Sequence, residues 1–199
     1  MHTDSSAATS PRPPLHGYRS ITLIGVFFLA VIGFGAYACQ SLEGGPVRSD
    51  VEYRARVAQT KKAGMEAVRS LTPAPEEAAE SPGRTLDDIA QKDSSTSCVD
   101  DFGVDDGGVT RDEPIFSWEL TFAGRRSDYL AAIEQLRWKW KRQGLTVKDV
   151  PAPGKGEPGA GLPGITTTDD QGIELALRPD WYSGDPVVRA DGGCMRHSY

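Results

Sequence analysis

Thiol chemistry comes first in this chain of 199 residues, because its three cysteines stand in places with different prospects. Cys39 directly follows an apolar run and is a candidate for lipidation, whereas Cys98 and Cys194 bracket a stretch with the pattern of a folded domain. Pairing those two leaves no odd thiol in the domain, a usage expected of an oxidising compartment outside the cytoplasm. Such a disulfide closes a loop of nearly a hundred residues and is worth up to ~4 to 5 kcal/mol if unstrained. Two unrelated buried thiols are the alternative.

Other groupings with chemical potential are weaker. Asp100, Asp101, Asp105 and Asp106 crowd among glycines, but their spacing does not match the helix-loop-helix calcium pattern, so a solvated acidic turn is the preferred reading. Cys194 and His197 have a zinc-like gap without a second pair, and two ligands do not make a site. The preferred reading is a disulfide cysteine beside a surface histidine near the terminus. A serine or cysteine nucleophile needs a histidine base, and His197 is the only histidine beyond the apolar run. No phosphate-cradling glycine loop or nucleophile-elbow motif occurs. The sequence therefore nominates no catalytic residue, no cofactor and no metal ligand.

Trp138 is the most informative aromatic. On a helical wheel it falls opposite the stripe Tyr129, Ile133, Leu136, Trp140, and Arg137, Lys139, Lys141 and Arg142 surround it. Trp138 and Arg142 are candidate partner contacts for acidic lipid headgroups or an anionic envelope polymer. Nucleic acid is disfavoured by the net charge of -6. The preferred reading is intramolecular: the preceding amphipathic helix packs over Trp138.

These residues need elements to hold them. From Asp50 the pattern is helical, with Tyr53, Val57, Gly64, Val68 and Leu71 within about 60° of arc, Lys61 as an intruder and Pro73 as the stop. A helical turn capped by Thr85 follows a linker over 72–83. Ile115 to Phe122 alternates as a half-buried strand. Ser127 is placed to cap a helix that ends at Gly144. Leu145 to Val150 returns to strand, and 151–164 reads as a flexible exposed excursion. Ile165–Thr168 and Ile173–Arg178 form a hairpin around Asp169 to Gly172, and Val187–Ala190 is the last strand. The expectation is an α+β fold: a small antiparallel or mixed sheet of 4–5 strands with helices on one face.

An N-terminal transmembrane helix is expected to precede it. Ile21 to Ala38 is eighteen residues without a charge, spanning roughly 27 Å as a helix, near the ~30 Å of a bilayer core. Tyr18 and Tyr37 stand near its ends. A cleaved signal and a lipoprotein signal acylated at Cys39 are the alternatives, and a buried soluble helix has no core to enter. Arg12 and Arg19 before the run, against Arg48, Arg54 and Arg56 after it, do not decide orientation. The cysteines place the C-terminal part outside. The resulting division is a disordered cytoplasmic tail (1–20), a membrane span (21–38), a hinge (39–49), an amphipathic helix and linker (50–97) and an extracytoplasmic domain (98–199).

Three segments, FSWEL (Phe116–Leu120), LRWKWKRQG with the following LTV (Leu136–Val147) and GIELAL (Gly172–Leu177), lie between the two bracketing cysteines. With them the chain resembles small membrane-anchored or lipoprotein-like exported proteins of actinobacteria, a group without an assigned activity. The resemblance implies an exported location and a fold type, and no catalytic residue carries over. The expected function is a binding or envelope-associated module at the cell membrane, not an enzyme. Its partners would be the bilayer through 21–38 and an envelope polymer or membrane protein. A carboxylate-dependent envelope enzyme and a structural subunit of a membrane complex are the alternatives.

Overall fold

The computed structural model describes residues 46–76, 85–93 and 108–198. The chain divides into two units, Met1–Glu43 and Gly44–Tyr199, and every described residue lies in the second. Among the described residues no helix is long and apolar enough to cross a membrane. The expected span at 21–38, Cys39, Cys98 and the acidic cluster at 100–106 all lie outside them.

Helix α1 (Asp50–Arg69) starts at a full capping box: the Ser49 hydroxyl accepts the Glu52 N–H at 3.2 Å and the Glu52 carboxylate accepts the Ser49 N–H at 2.9 Å. Thr60, Gly64, Ala67 and Val68 form its buried face, at the three- and four-residue spacing of one helical stripe. Gly64 decides how close the helix comes to the sheet. A Cβ built there would lie 2.2 Å from Trp118 Cζ3 and 3.0 Å from the Ala190 Cβ. Only glycine lets the indole press against the helix backbone. Further on, the turn α2 (Leu86–Ile89) is capped by Thr85 as expected, and its Leu86 carbonyl accepts the buried Trp118 indole N–H at 2.9 Å.

The main sheet has six strands in the order β1-β3-β7-β6-β5-β4, every neighbour antiparallel. They are β1 (Gln91–Asp93), β3 (Ile115–Glu119), β4 (Lys148–Val150), β5 (Gly164–Thr168), β6 (Glu174–Pro179) and β7 (Pro186–Asp191). The α+β class, the antiparallel form of the sheet and the one-sided packing of the helices agree with the sequence, while the main sheet has six strands where four or five were expected. Register lines up one apolar face: Phe116 and Leu175 flank Ala190, Trp118 and Leu177 flank Val188, and Ile165 follows beside Leu177. Both long helices share a core with that face. The opposite face carries Ser117, Arg189, Thr166 and Arg178, the arrangement of an antiparallel sheet with one packed and one polar side.

Helix α3 (Arg126–Arg142) buries Tyr129, Ala132, Ile133, Leu136 and Trp140, the expected stripe with Ala132 added. Its start departs from expectation. Ser127 lies inside the helix and donates to the Gly124 carbonyl at 2.9 Å, while Asp128 accepts the Gly124 N–H at 2.7 Å and Arg125 takes the cap position without a side-chain bond. The helix ends as expected at Gly144, with φ 82°. The N–H groups of Gly144 and Leu145 return to the carbonyls of Lys141 and Trp140, both at 3.0 Å, a Schellman closure.

A two-stranded ribbon, β2 (Val109–Asp112) with β8 (Met195–Ser198), completes the unit beside the start of α1. Arg48 joins its edge, donating to the Arg196 carbonyl at 2.8 Å and accepting from Ser198 at 3.0 Å. Because α1 supplies Ala67 and Val68 to the core, with Leu71 following just past its end, the folded unit includes the helix assigned by sequence to a separate 50–97 segment. Its start is therefore not near Cys98.

Candidate functional site

The β6–β7 connection carries two large aromatic side chains on its outside. Trp181 is 78% exposed and Tyr182 86%, with ring centroids 6.2 Å apart and planes at 88°. Covering either ring would be worth roughly 1.5 to 3 kcal/mol. Folding leaves that free energy unused, and a ligand can draw on it.

The turn beneath them is rigidly built. The Asp180 carboxylate accepts N–H groups from Tyr182 at 2.8 Å and Ser183 at 2.9 Å. Those bonds, the one from Ser183 first, hold its carboxyl below the ordinary value in spite of partial burial. The Asp180 N–H donates to the Asp185 carbonyl at 2.7 Å and Gly184 N–H returns to Asp180 at 3.0 Å. Gly184, at φ 76°, meets the neighbouring loop so closely that a Cβ would sit 2.2 Å from the Gly159 nitrogen. That loop, 151–163, contrary to the expected flexible excursion, is a set of turns closed by Gly161 N–H on the Pro153 carbonyl at 3.1 Å.

Between loop and turn runs a groove of about 310 Å³, walled by Pro151, Pro153, Pro158 and Pro179 and ending on Trp181. Its polar groups are Glu157, Arg178 and Asp180. Glu157 is partly committed, accepting the Gly154 N–H at 2.6 Å. Arg178 is exposed and, among the described residues, forms no ion pair. An aromatic plate, an apolar trough and a few polar groups at its edge suit a ligand with both a flat apolar face and hydroxyl or amide groups.

The residues singled out by sequence are placed elsewhere. Trp138 is 59% exposed, which corrects the expectation that the helix from Asp50 covers it. That helix instead lies on β3 and β7 through Gly64. Arg142 does join Trp138, its guanidinium 4.5 Å from the ring centroid. His197, expected at the surface, is 5% exposed, with Nε2 2.9 Å from the Asp112 carboxylate. Cys194 is exposed between β7 and β8 and its sulfur is not free; Cys98, its expected partner, lies outside the described residues. Among the described residues no group of three His, Cys, Asp or Glu side chains is placed to hold a metal ion.

Trp181 and Tyr182 escaped the sequence reading because they occupy neither a helical nor an alternating pattern. The available signal was local: two adjacent large aromatics inside a turn-forming Pro-Asp-Trp-Tyr-Ser-Gly-Asp-Pro stretch. These features together define an α+β domain with an antiparallel sheet and an aromatic groove at one end. No family model matches the chain, and neither curated proteins nor solved structures give a match.

Proposed function

We propose that this chain is a single-pass membrane-anchored binding module whose Gly44–Tyr199 unit works outside the cytoplasm and grips an envelope polysaccharide at the β6–β7 turn. The observation that carries the reading is the exposed Trp181–Tyr182 pair at the mouth of the proline-walled groove. A pyranose ring offers a C–H face to stack on Trp181, and its hydroxyls match Arg178, Glu157 and Asp180. The charge-free stretch 21–38 supports an anchor. Cysteine usage, with Cys98 proposed to pair with Cys194, supports the outside location, as does the resemblance to exported actinobacterial proteins.

The test is sedimentation of the full chain, in detergent, with insoluble envelope polysaccharide. Trp181→Ala with Tyr182→Ala is expected to weaken retention about tenfold, equivalent to ~1.4 kcal/mol. Retention unchanged by the double substitution overturns the proposal. Mass analysis with and without reductant tests the cysteine pairing, and a free Cys98 thiol removes that support for the outside location.

A further inference from the structure

The outer face of α3 is the second unexplained surface. Trp138 stands 59% exposed with the Arg142 guanidinium stacked 4.5 Å from its centroid. Lys141 is exposed beside them, and among the described residues neither Lys141 nor Arg142 forms an ion pair. The acid one turn earlier, Glu134, is held by Arg137 at 3.4 Å, and Arg137 itself reaches Asp149 at 2.7 Å. Trp138 with Lys141 and Arg142 is thus a local basic, aromatic patch in a chain of net charge -6.

Its place in the fold adds the second observation. The C-terminal end of α3 faces Asp169 and Asp170 of the β5–β6 turn across a cavity also lined by Lys139. That turn is held by Arg56 of α1, which donates to the carbonyls of Gln171 at 2.7 Å and Gly172 at 3.0 Å. So α3 ends at the same end of the sheet at which the chain arrives from its N-terminal part through Arg48. The Trp181–Tyr182 turn lies at the other end. From Ala38 to Pro46 is eight residues, a tether of at most ~27 Å.

We infer that Trp138, Lys141 and Arg142 form a bilayer-contact face, with the indole in the headgroup layer and the two cations on anionic phospholipid. This rests on the anchor proposed above. Tryptophan favours the membrane interface because its ring is apolar and its N–H polar, and cations near an anionic leaflet are attracted within a Debye length. Binding through this face leaves the aromatic groove pointing away from the lipid.

The experiment uses the full chain in nanodiscs of neutral phosphatidylcholine, with or without phosphatidylglycerol, carrying a headgroup-attached quencher of tryptophan fluorescence. Quenching is expected about twofold stronger in anionic discs, to fall to the neutral level in Trp138→Phe and at high salt, and to drop in Arg142→Gln. Trp181→Phe is expected to leave it unchanged. Entry of the chain into discs without Trp138-dependent quenching overturns this surface and leaves the anchor standing. Failure to enter discs overturns the anchor, and this surface with it. Loss of the quenching on adding soluble glycerol-phosphate polymer, with binding of that polymer in the absence of discs, assigns the face to an anionic polymer and overturns the bilayer.

Discussion

His197 lies flat on Tyr53, with ring centroids 3.9 Å apart and planes 5° from parallel. Its Nε2 meets Asp112 at 2.9 Å, so β8, β2 and α1 meet at one imidazole. Arg48 bonds along the same strand, which ties the first described residues to the last.

His197→Ala is expected to destabilise the unit by about 2 kcal/mol, from a cavity against Tyr53 and a lost, partly buried hydrogen bond to Asp112. A lower urea midpoint, with faster amide exchange at Ser198, is the expected result. In a double-mutant cycle with Tyr53→Ala, coupling should reach roughly 0.5 to 1.5 kcal/mol. Additive losses would mean that the stacking contributes nothing.

Gly64→Ala sets two effects against each other. Alanine is the better helix former by about 1 kcal/mol, but its Cβ would stand 2.2 Å from the Trp118 ring in a closed core. Overpacking of this kind costs typically 1 to 3 kcal/mol. Net destabilisation, read as a lower denaturation midpoint and altered Trp118 fluorescence, is the expected outcome.

The sequence was most legible where apolar side chains repeat with a clear period. Phe116 and Trp118 on β3, Leu120 and Phe122 just beyond it, and the Tyr129 to Trp140 stripe on α3 are buried as the pattern requires. β1, β2 and β8 went unread because Gln91–Asp93, Val109–Asp112 and Met195–Ser198 are short and mostly polar; neighbours, not periodicity, make them strands. The fate of Trp138 depended on which partner α1 chose. A wheel reports a face without naming what meets it, and Gly64, the residue that selected the sheet, reads in sequence only as a poor helix former. For the groove, residues far apart in the chain, Pro153 and Trp181, had to be brought together by the β5–β6–β7 meander.

Arg125 adopts φ 48° and ψ -118°, a conformation that suits glycine and costs other residues roughly 1 to 3 kcal/mol. Arg125→Gly is therefore expected to stabilise the unit by about 1 kcal/mol, less the greater freedom glycine adds to the unfolded chain. Thermal unfolding checks it, and a lowered midpoint would count against the strain.

Acid should loosen the turns before the core. Ser49 hydrogen bonds hold Glu52 below its ordinary 4.5, the Thr85 hydroxyl and N–H hold Asp88 below 3.8, and the Asp180 turn acts likewise. A carboxyl depressed in the fold contributes stability that is complete above its unfolded value and is lost as pH falls through its folded one. The stability difference between wild type and Asp180→Asn is accordingly expected to shrink as pH drops below about 4. A difference constant from neutral pH down to pH ~3 would show that the Asp180 charge does not matter.

The two outermost strands of the main sheet are its shortest, three residues each. β4 exposes Lys148 and Asp149, and the chain leaves it through Pro151, which has no N–H to offer. A neighbouring copy seeking to extend the sheet meets only a few free backbone groups, and charges beside them. Where copies of this chain are concentrated, that blunt border keeps close neighbours from fusing into a continuous ribbon.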